Sequence, residues 1–379
     1  MRGLWLALTL MAAPAVAEAP YTIAAGLFDP SRQNLGLARA TGTETVTIFT
    51  PMSDDDKFNN GAVLYPFKGR LYAQWQSSAT DEDSSDTKIM YASSADGVVW
   101  DKPKVLMPAG SGGQMHSNGG WWSDGQTLIA YINVWPTGFQ SGDGGYTAYI
   151  RSSDGVNWSK PEPVTGADNQ PVQGIIEQDP HALADGRIIT AFHLRPGMIA
   201  APFFTDDPLG ISGWRRGQMT NLPHEGKVSR ELEPSLFLRG NCAVMVFRDQ
   251  ASTFKQLASE SCDRGQTWTQ PALTNMPDAR AKQSAGNLPD GTAYMVNAPN
   301  GDKLRMPLAV TLSDDGRTFT RSYLLRGGDD IEPLRFEGRY KRLGYHYPKS
   351  VVWQDHLYVV YSAHKESIAL TRIPLSSLR

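Results

Sequence analysis

The chain has 379 residues and a formal net charge of −3, with 36 basic against 39 acidic side chains. A balance that near neutral, with no basic run, excludes the electrostatic footprint of a nucleic-acid-binding protein. Glycine (36), proline (25) and tryptophan (10) are plentiful, which favours a large all-β protein of many short strands joined by tight turns.

At the N-terminus Arg2, an apolar run over 4–12 and Ala15-Val16-Ala17 have the form of a cleavable export signal cut after Ala17. The run is too short to span a bilayer, and no later stretch is long and apolar enough to do so. Residues 1–17 are therefore expected to be a signal peptide, and 18–379 one secreted or periplasmic domain. Residues 18–43 show no repeat, and 44–51 reads as an isolated strand. Four strand-like runs follow at 61–67, 70–76, 88–93 and 104–107, and four more at 117–123, 127–134, 146–152 and 162–165.

A short motif punctuates these runs. Ser94-Ala95-Asp96-Gly97-Val98-Val99-Trp100 recurs from Ser152 to Trp158, from Ser261 to Trp268 and from Ser313 to Phe319, with a degenerate copy from Thr205 to Trp214. The Ser/Thr and Asp oxygens suit the backbone N–H groups of a hairpin turn, the glycine suits a positive φ, and the aromatic ring suits the space between repeats. A calcium-loop reading fails, because each copy offers too few oxygen ligands. A four-stranded period of this length is a propeller blade. The last unit has three runs, at 347–353, 356–362 and 367–374, and 44–51 can supply its fourth. The expectation is an all-β six-bladed β-propeller closed by its own N-terminal strand. Residues 18–43 leave a seventh, partial blade as the alternative.

The two cysteines fall in one hairpin. Residues 242–249 and 255–262 read as paired strands, and if 249 faces 255 then Cys242 faces Cys262. Facing Cα atoms at about 4.5–5.5 Å are within disulfide reach, so a bridge is expected, against the competing reading of two buried free thiols.

The hairpin motifs lie on one face of such a ring and the blade-to-blade loops on the other. Those loops carry Lys57 to Asn60, Gln114 to Asn118, Glu177 to His181, Arg230 to Pro234, Arg280 to Gln283 and Tyr345 to Lys349. The second-strand ends add Trp75, Asp86, Trp135, His193, Arg248, Lys303, Arg305 and Lys365. Charged, histidine and aromatic side chains converging on one mouth make a polar-substrate pocket, with Trp75 and Trp135 placed to stack on sugar rings. The acidic runs at 54–56 and 81–86 read as solvated loops.

The motif is the Asp box, and the layout resembles the sialidase superfamily over nearly all of 18–379. Glu233-Pro234-Ser235 followed by Arg248-Asp249 looks like the family's Glu-x-Ser…Arg segment. Asn297 to Asn300 with Arg305 looks like its Asn-Pro…Arg segment, Tyr347 like its nucleophilic tyrosine, and Asp86 sits where its acid/base aspartate precedes the first box. The resemblance implies a glycosidase in which Glu233 deprotonates Tyr347, Asp86 serves the leaving group, and Arg248 and Arg305 hold a substrate carboxylate. It breaks at Asn59, in the stretch where the family has the first of three arginines, so an anionic sugar other than sialic acid, such as a uronate, is equally in view. A lyase acting on uronates is the second reading, with His116, His181 or Tyr347 as base and an arginine neutralising the carboxylate. A non-catalytic glycan-binding propeller is the third. His116, His181 and Asp179 have no metal-ligand spacing, and no metal or cofactor is expected. Asp179 is counted with the substrate-binding candidates, and the expected partner is a glycan.

Overall fold

Six sheets of alternately apolar strands stand side by side around an axis, because each strand has apolar residues on both of its faces. Leu128–Trp135 is buried along its whole length. Leu128, Ala130, Ile132 and Val134 pack toward one neighbouring sheet, while Ile129 and Tyr131 pack toward the other. A period of two between successive side chains thus fills two inter-blade cores from one strand. This is a computed structural model, describing residues 18–177 and 180–379. The expected signal segment 1–17 and Asp179 lie outside the described residues.

The sheets are antiparallel. Blade I runs Phe58–Phe67, Arg70–Ser78, Lys88–Ser94, Lys104–Met107; blade II begins at Met115–Ser123, blade IV at Glu231–Arg239 and blade V at Ser284–Asn287. In blade III the inner strand is split into Gly174–Ile176 and His181–Ala182, both paired with Ile188–Leu194. Blade VI is Tyr345–Trp353, His356–Ala363 and Ser367–Pro374, completed by Glu44–Phe49, which pairs with the last of these. The ring is therefore closed by the N-terminal strand, as the sequence implied. No seventh blade forms among the described residues. Within 18–43, Thr22–Ile23 pairs in parallel with Thr318–Phe319, Tyr21 is buried against Phe237 and Phe319, and Ala40 enters the core between blades V and VI. The leftover segment is consumed as packing across blades IV to VI.

Each Asp box folds as its residue types require. In blade I, Ser94 Oγ accepts from Gly97 N at 2.8 Å, and Asp96 Oδ1 accepts from Val98 N and Val99 N, both at 2.8 Å. The copies at Ser152, Ser261 and Ser313 repeat the carboxylate bonds, and Asp207 makes the equivalent ones in the degenerate copy. The glycine also sets the approach of adjoining blades. A Cβ on Gly97 would lie 2.4 Å from the ring of Tyr358 in blade VI, and one on Gly155 would lie 2.1 Å from Tyr72 Oη in blade I. Gly155 has φ +72, so alanine there adds left-handed strain to a clash with a neighbouring blade. Gly155→Ala should destabilise the ring by about 2–4 kcal/mol, read as a lower midpoint in a urea titration.

Cys242 and Cys262 form the bridge, with Cα atoms 4.1 Å apart, in a hairpin whose register pairs Ala243 with Ser261. A loop of this length removes about 3 kcal/mol of chain entropy from the unfolded state. The double Cys→Ser variant should lose about 2–4 kcal/mol in the same titration, with reducing agent reproducing the loss in the parent protein.

Candidate active site

The inner strands of three blades share one local device. In blade I the register passes from Asn60↔Gln76 to Val63↔Gln74, in blade IV from Leu232↔Arg248 to Ser235↔Val246, and in blade VI from His346↔Ser362 to Lys349↔Val360. Each is a bulge in which two residues face one, and the first bulged residue has positive φ: Gly61 (67°), Glu233 (52°) and Tyr347 (52°). For glycine the conformation is free. For Glu233 and Tyr347 it costs about 1–2 kcal/mol each, of the kind stored where a side chain must point a particular way. Both side chains face a cavity of about 530 Å³ at the mouth of the ring, within the range of about 300–1,000 Å³ of small-molecule sites.

Tyr347 lies at the centre of a charged array. Arg305 sits over its ring with the guanidinium carbon 5.0 Å from the centroid, and Lys365 Nζ and Lys282 Nζ lie at 5.3 and 5.9 Å. Arg248 Nη1 donates to Glu233 Oε2 at 2.8 Å and Nη2 to Gln250 Oε1 at 2.9 Å. Burial pushes the Tyr347 phenol well above its ordinary value, and the charges of Glu233 and Glu82 push it further against Arg305 and Arg248. Burial also raises Glu233, but Arg248, Lys282 and Arg305 outweigh it and hold the carboxyl below its usual range. The result is a protonated phenol beside an ionised carboxylate.

Support comes from beneath. Arg305 is buried and its Nη1 donates to His346 Nδ1 at 2.8 Å, while His346 Nε2 contacts Arg342 O at 3.0 Å. Arginine can only donate, so the His346 proton is on Nε2. Burial, with Arg305 next to it, lowers His346 well below neutrality; it stays an uncharged rest for the guanidinium. His193, also buried and lowered mainly by burial, accepts from Glu233 N at 3.3 Å.

Of the residues given a catalytic or substrate-binding role by sequence, the cavity holds Tyr347, Glu233, Arg248, Arg305 and Trp135, and of the wider set at the mouth it also holds Asn60, Glu177, Arg280, Lys282, Lys303 and Lys365. Asn59, Trp75, His116, His181 and Asp86 lie elsewhere for identifiable reasons. Asn59 is fully buried behind the wall, where its Nδ2 donates to Asp56 O and Glu366 O and its Oδ1 accepts from Trp75 Nε1. Trp75 is core, not a stacking platform; Asn60 and Gly61 face the cavity in place of Asn59. His116 alternates away between Met115 and Ser117, which line the cavity, and its ring contacts Pro108 O and Gln114 Oε1. His181, lowered to about 4 by burial and by Lys349, is not among the lining residues.

Asp86 is exposed and does not line the cavity. It accepts from Ala79 N at 2.8 Å and from Ser84 Oγ, pinning the base of its loop. From this loop Glu82 and Asp83 reach the cavity instead; Asp83 is at φ +60 and is raised to about 7 by burial and then by neighbouring Glu82. Glu82 pairs with Lys365, which burial lowers to about 8. Sequence reasoning missed Glu82, Asp83 and Arg342. A signal was present for the first two, an acidic run directly after a second strand, at the height where the other blades present their cavity residues.

A family model described as a BNR repeat-like domain matches residues 69–359. The chain belongs to this BNR repeat-like family. Similar solved structures bear out the BNR propeller fold at low identity. A sialidase is 18% identical over 94% of this chain, with a TM-score of 0.68; this chain spans 35% of it. A Hadza microbial sialidase is 16% identical over 86% of this chain and 67% of its own, with a TM-score of 0.65. A Dyadobacter fermentans protein of unknown function is 16% identical over 88% and 99% of the two chains, with a TM-score of 0.66. The BNR chain thus spans about a third of the first of these structures. No curated protein matches the sequence. Among the described residues no helix of this BNR protein is long and apolar enough to cross a membrane.

Proposed function

We propose that this protein is an exported glycoside hydrolase that cleaves a terminal anionic sugar, sialic acid or a uronate, from a glycan. The observation that carries the reading is the Tyr347–Glu233–Arg248 group: a buried neutral phenol, an ionised carboxylate and a guanidinium joining them at the floor of one cavity.

The chemistry follows from charge. Sialic acid bears its carboxylate on the reacting carbon and repels a carboxylate nucleophile, a repulsion that a phenol avoids; in a uronate the carboxylate lies across the ring oxygen and the repulsion is weaker. Glu233 takes the Tyr347 proton as the oxygen bonds to the anomeric carbon. Asp83, half protonated near neutrality, gives its proton to the leaving oxygen as the glycosidic bond breaks. Asp83 then takes a proton from water, whose oxygen displaces Tyr347, and Glu233 returns the phenolic proton. Arg248 and Arg305 hold the sugar carboxylate. The disulfide suits an oxidising compartment outside the cytoplasm.

The uronate-lyase reading retains Tyr347 but loses the support of His116, whose ring is held outside the cavity. Incubation with sialosides and with uronate oligosaccharides decides between them. Release of free sialic acid or of reducing uronate without new ultraviolet absorbance is expected. Absorbance from a carbon–carbon double bond conjugated to carboxylate overturns the hydrolase reading in favour of a lyase. Glycan binding without any product overturns it in favour of a lectin.

A further inference from the structure

Blade V arms one side of the cavity with more positive charge than a single carboxylate can neutralise. Arg280 and Lys282 come from the loop entering its first strand, and Lys303 and Arg305 from the loop between Ala293–Asn297 and Leu308–Ser313. No carboxylate of this blade lines the cavity among the described residues. Four carboxylates line the rest of the cavity against seven cationic side chains: Glu233 pairs with Arg248 and Glu82 with Lys365, while Glu177 and Asp83 make no ion pair among the described residues. Arg280, Lys282, Lys303 and Arg305 likewise make no ion pair among the described residues.

The arginines are also short of hydrogen-bond acceptors. The Nε atoms of Arg248, Arg280 and Arg305 are all buried without a partner, although Arg305 as a whole is 3% exposed. Arg305 Nη2 reaches only the backbone oxygen of Arg280, at 3.5 Å. Arg280 is held at φ +51. Its guanidinium loses affinity for its proton through burial and then through Arg248, with Arg305 adding to this. Like charges packed together in a partly dry wall are unfavourable unless an anion enters among them. One carboxylate, held in a fork by Arg248 and Arg305, leaves Arg280 and the two lysines unneutralised.

We infer that the cavity takes a glycan with two anionic groups, the second an oxyanion on the adjoining sugar, bound by Arg280 and Lys303 on the rim side of Arg305. A carboxylate or a sulfate satisfies this chemistry, so the substrate class is an oligosaccharide acidic on consecutive units. Lys303 is exposed at the mouth and Arg280 is half-buried, an order that matches a chain running outward from the floor. The inference rests on the glycan-binding part of the proposed function and not on its catalytic steps.

The test is calorimetric titration of the full chain with matched pairs: a disaccharide of two uronates against one uronate joined to a neutral sugar, and disialyllactose against sialyllactose. A sulfated uronate disaccharide separates the two oxyanions. One added charge-assisted contact is worth about tenfold in affinity, so at least one dianionic member should bind about tenfold more tightly than its monoanionic partner. That ratio should fall to near one in Lys303→Gln and in Arg280→Gln, and shrink on raising salt. Equal affinities within every pair, no measurable binding by either member, or a preference that survives both substitutions would overturn the inference. Turnover is read separately on the same glycans. A dianion preference without hydrolysis sinks the glycosidase reading alone, and hydrolysis without the preference sinks this inference alone.

Discussion

Tyr347→Phe is expected to lower turnover about a thousandfold or more while the protein stays folded. Loss of a group that acts as part of a catalytic unit has effects of this size, and the rest of the unit does not compensate. Only one oxygen is removed. The Glu233–Arg248 pair, the Arg305–His346 contact and the bulge at residue 347 persist, since none of them uses the phenolic oxygen. Glu233→Gln should give a similar loss, because an amide cannot take the phenolic proton. It also leaves Arg248 buried without its charge partner, so this variant alone should show a fall in stability, of about 3 kcal/mol. Steady-state kinetics with thermal melts separates the two effects. Turnover within tenfold of the parent for Tyr347→Phe would remove the phenol from the reaction.

The second large effect concerns the aspartates of the 81–86 loop. Asp83→Asn should lower turnover by about two to four orders of magnitude, the usual worth of a general acid, whereas Asp86→Asn should leave it within a few-fold. The pH profile carries the same assignment. The reaction uses protonated Asp83, so kcat/KM should fall about tenfold per pH unit above about 7, where this carboxyl ionises. A leaving group that departs as a stable anion without a proton, such as nitrophenolate, should lose that alkaline fall and recover much of the Asp83→Asn rate. Equal losses for Asp83→Asn and Asp86→Asn, or a profile with no fall above neutrality, would place the acid elsewhere.

These two residues show where sequence stops being informative. The blades were legible because the Asp box repeats a whole turn, with its oxygens, glycine and ring at fixed offsets. That turn anchors each strand before any long-range contact is considered. The hairpin register that joins Cys242 to Cys262 followed from the same regularity. Facing at the mouth is different, because a bulge shifts the side chains on one side of it by one position relative to those on the other. In blade I it puts Asn60 and Gly61 at the cavity and turns Asn59 to the wall, so a match by sequence distance picks the wrong neighbour. The positive φ of Glu233, Tyr347 and Asp83 has no signature in residue type, since none of them is glycine. In the 81–86 loop, Thr87 N and Oγ1 both bond to Ser84 O, a tight turn that separates Asp86 from the cavity and leaves Asp83 to enter it. Counting residues back from the first Asp box cannot see that turn.

Closure by Glu44–Phe49 has a consequence for how the molecule comes into being. Its partner strand, Ser367–Pro374, is synthesised more than 300 residues later. Blade VI therefore has no complete sheet until Ser367–Pro374 has been made, and the inter-blade cores on either side of it wait with it. Pairing of such distant segments makes the final step slow and dependent on the whole chain. A nascent chain of this architecture is an open arc with two unpaired flanks. Tyr347 lies in the blade whose sheet closes the ring, so the array around it is complete only when the ring is.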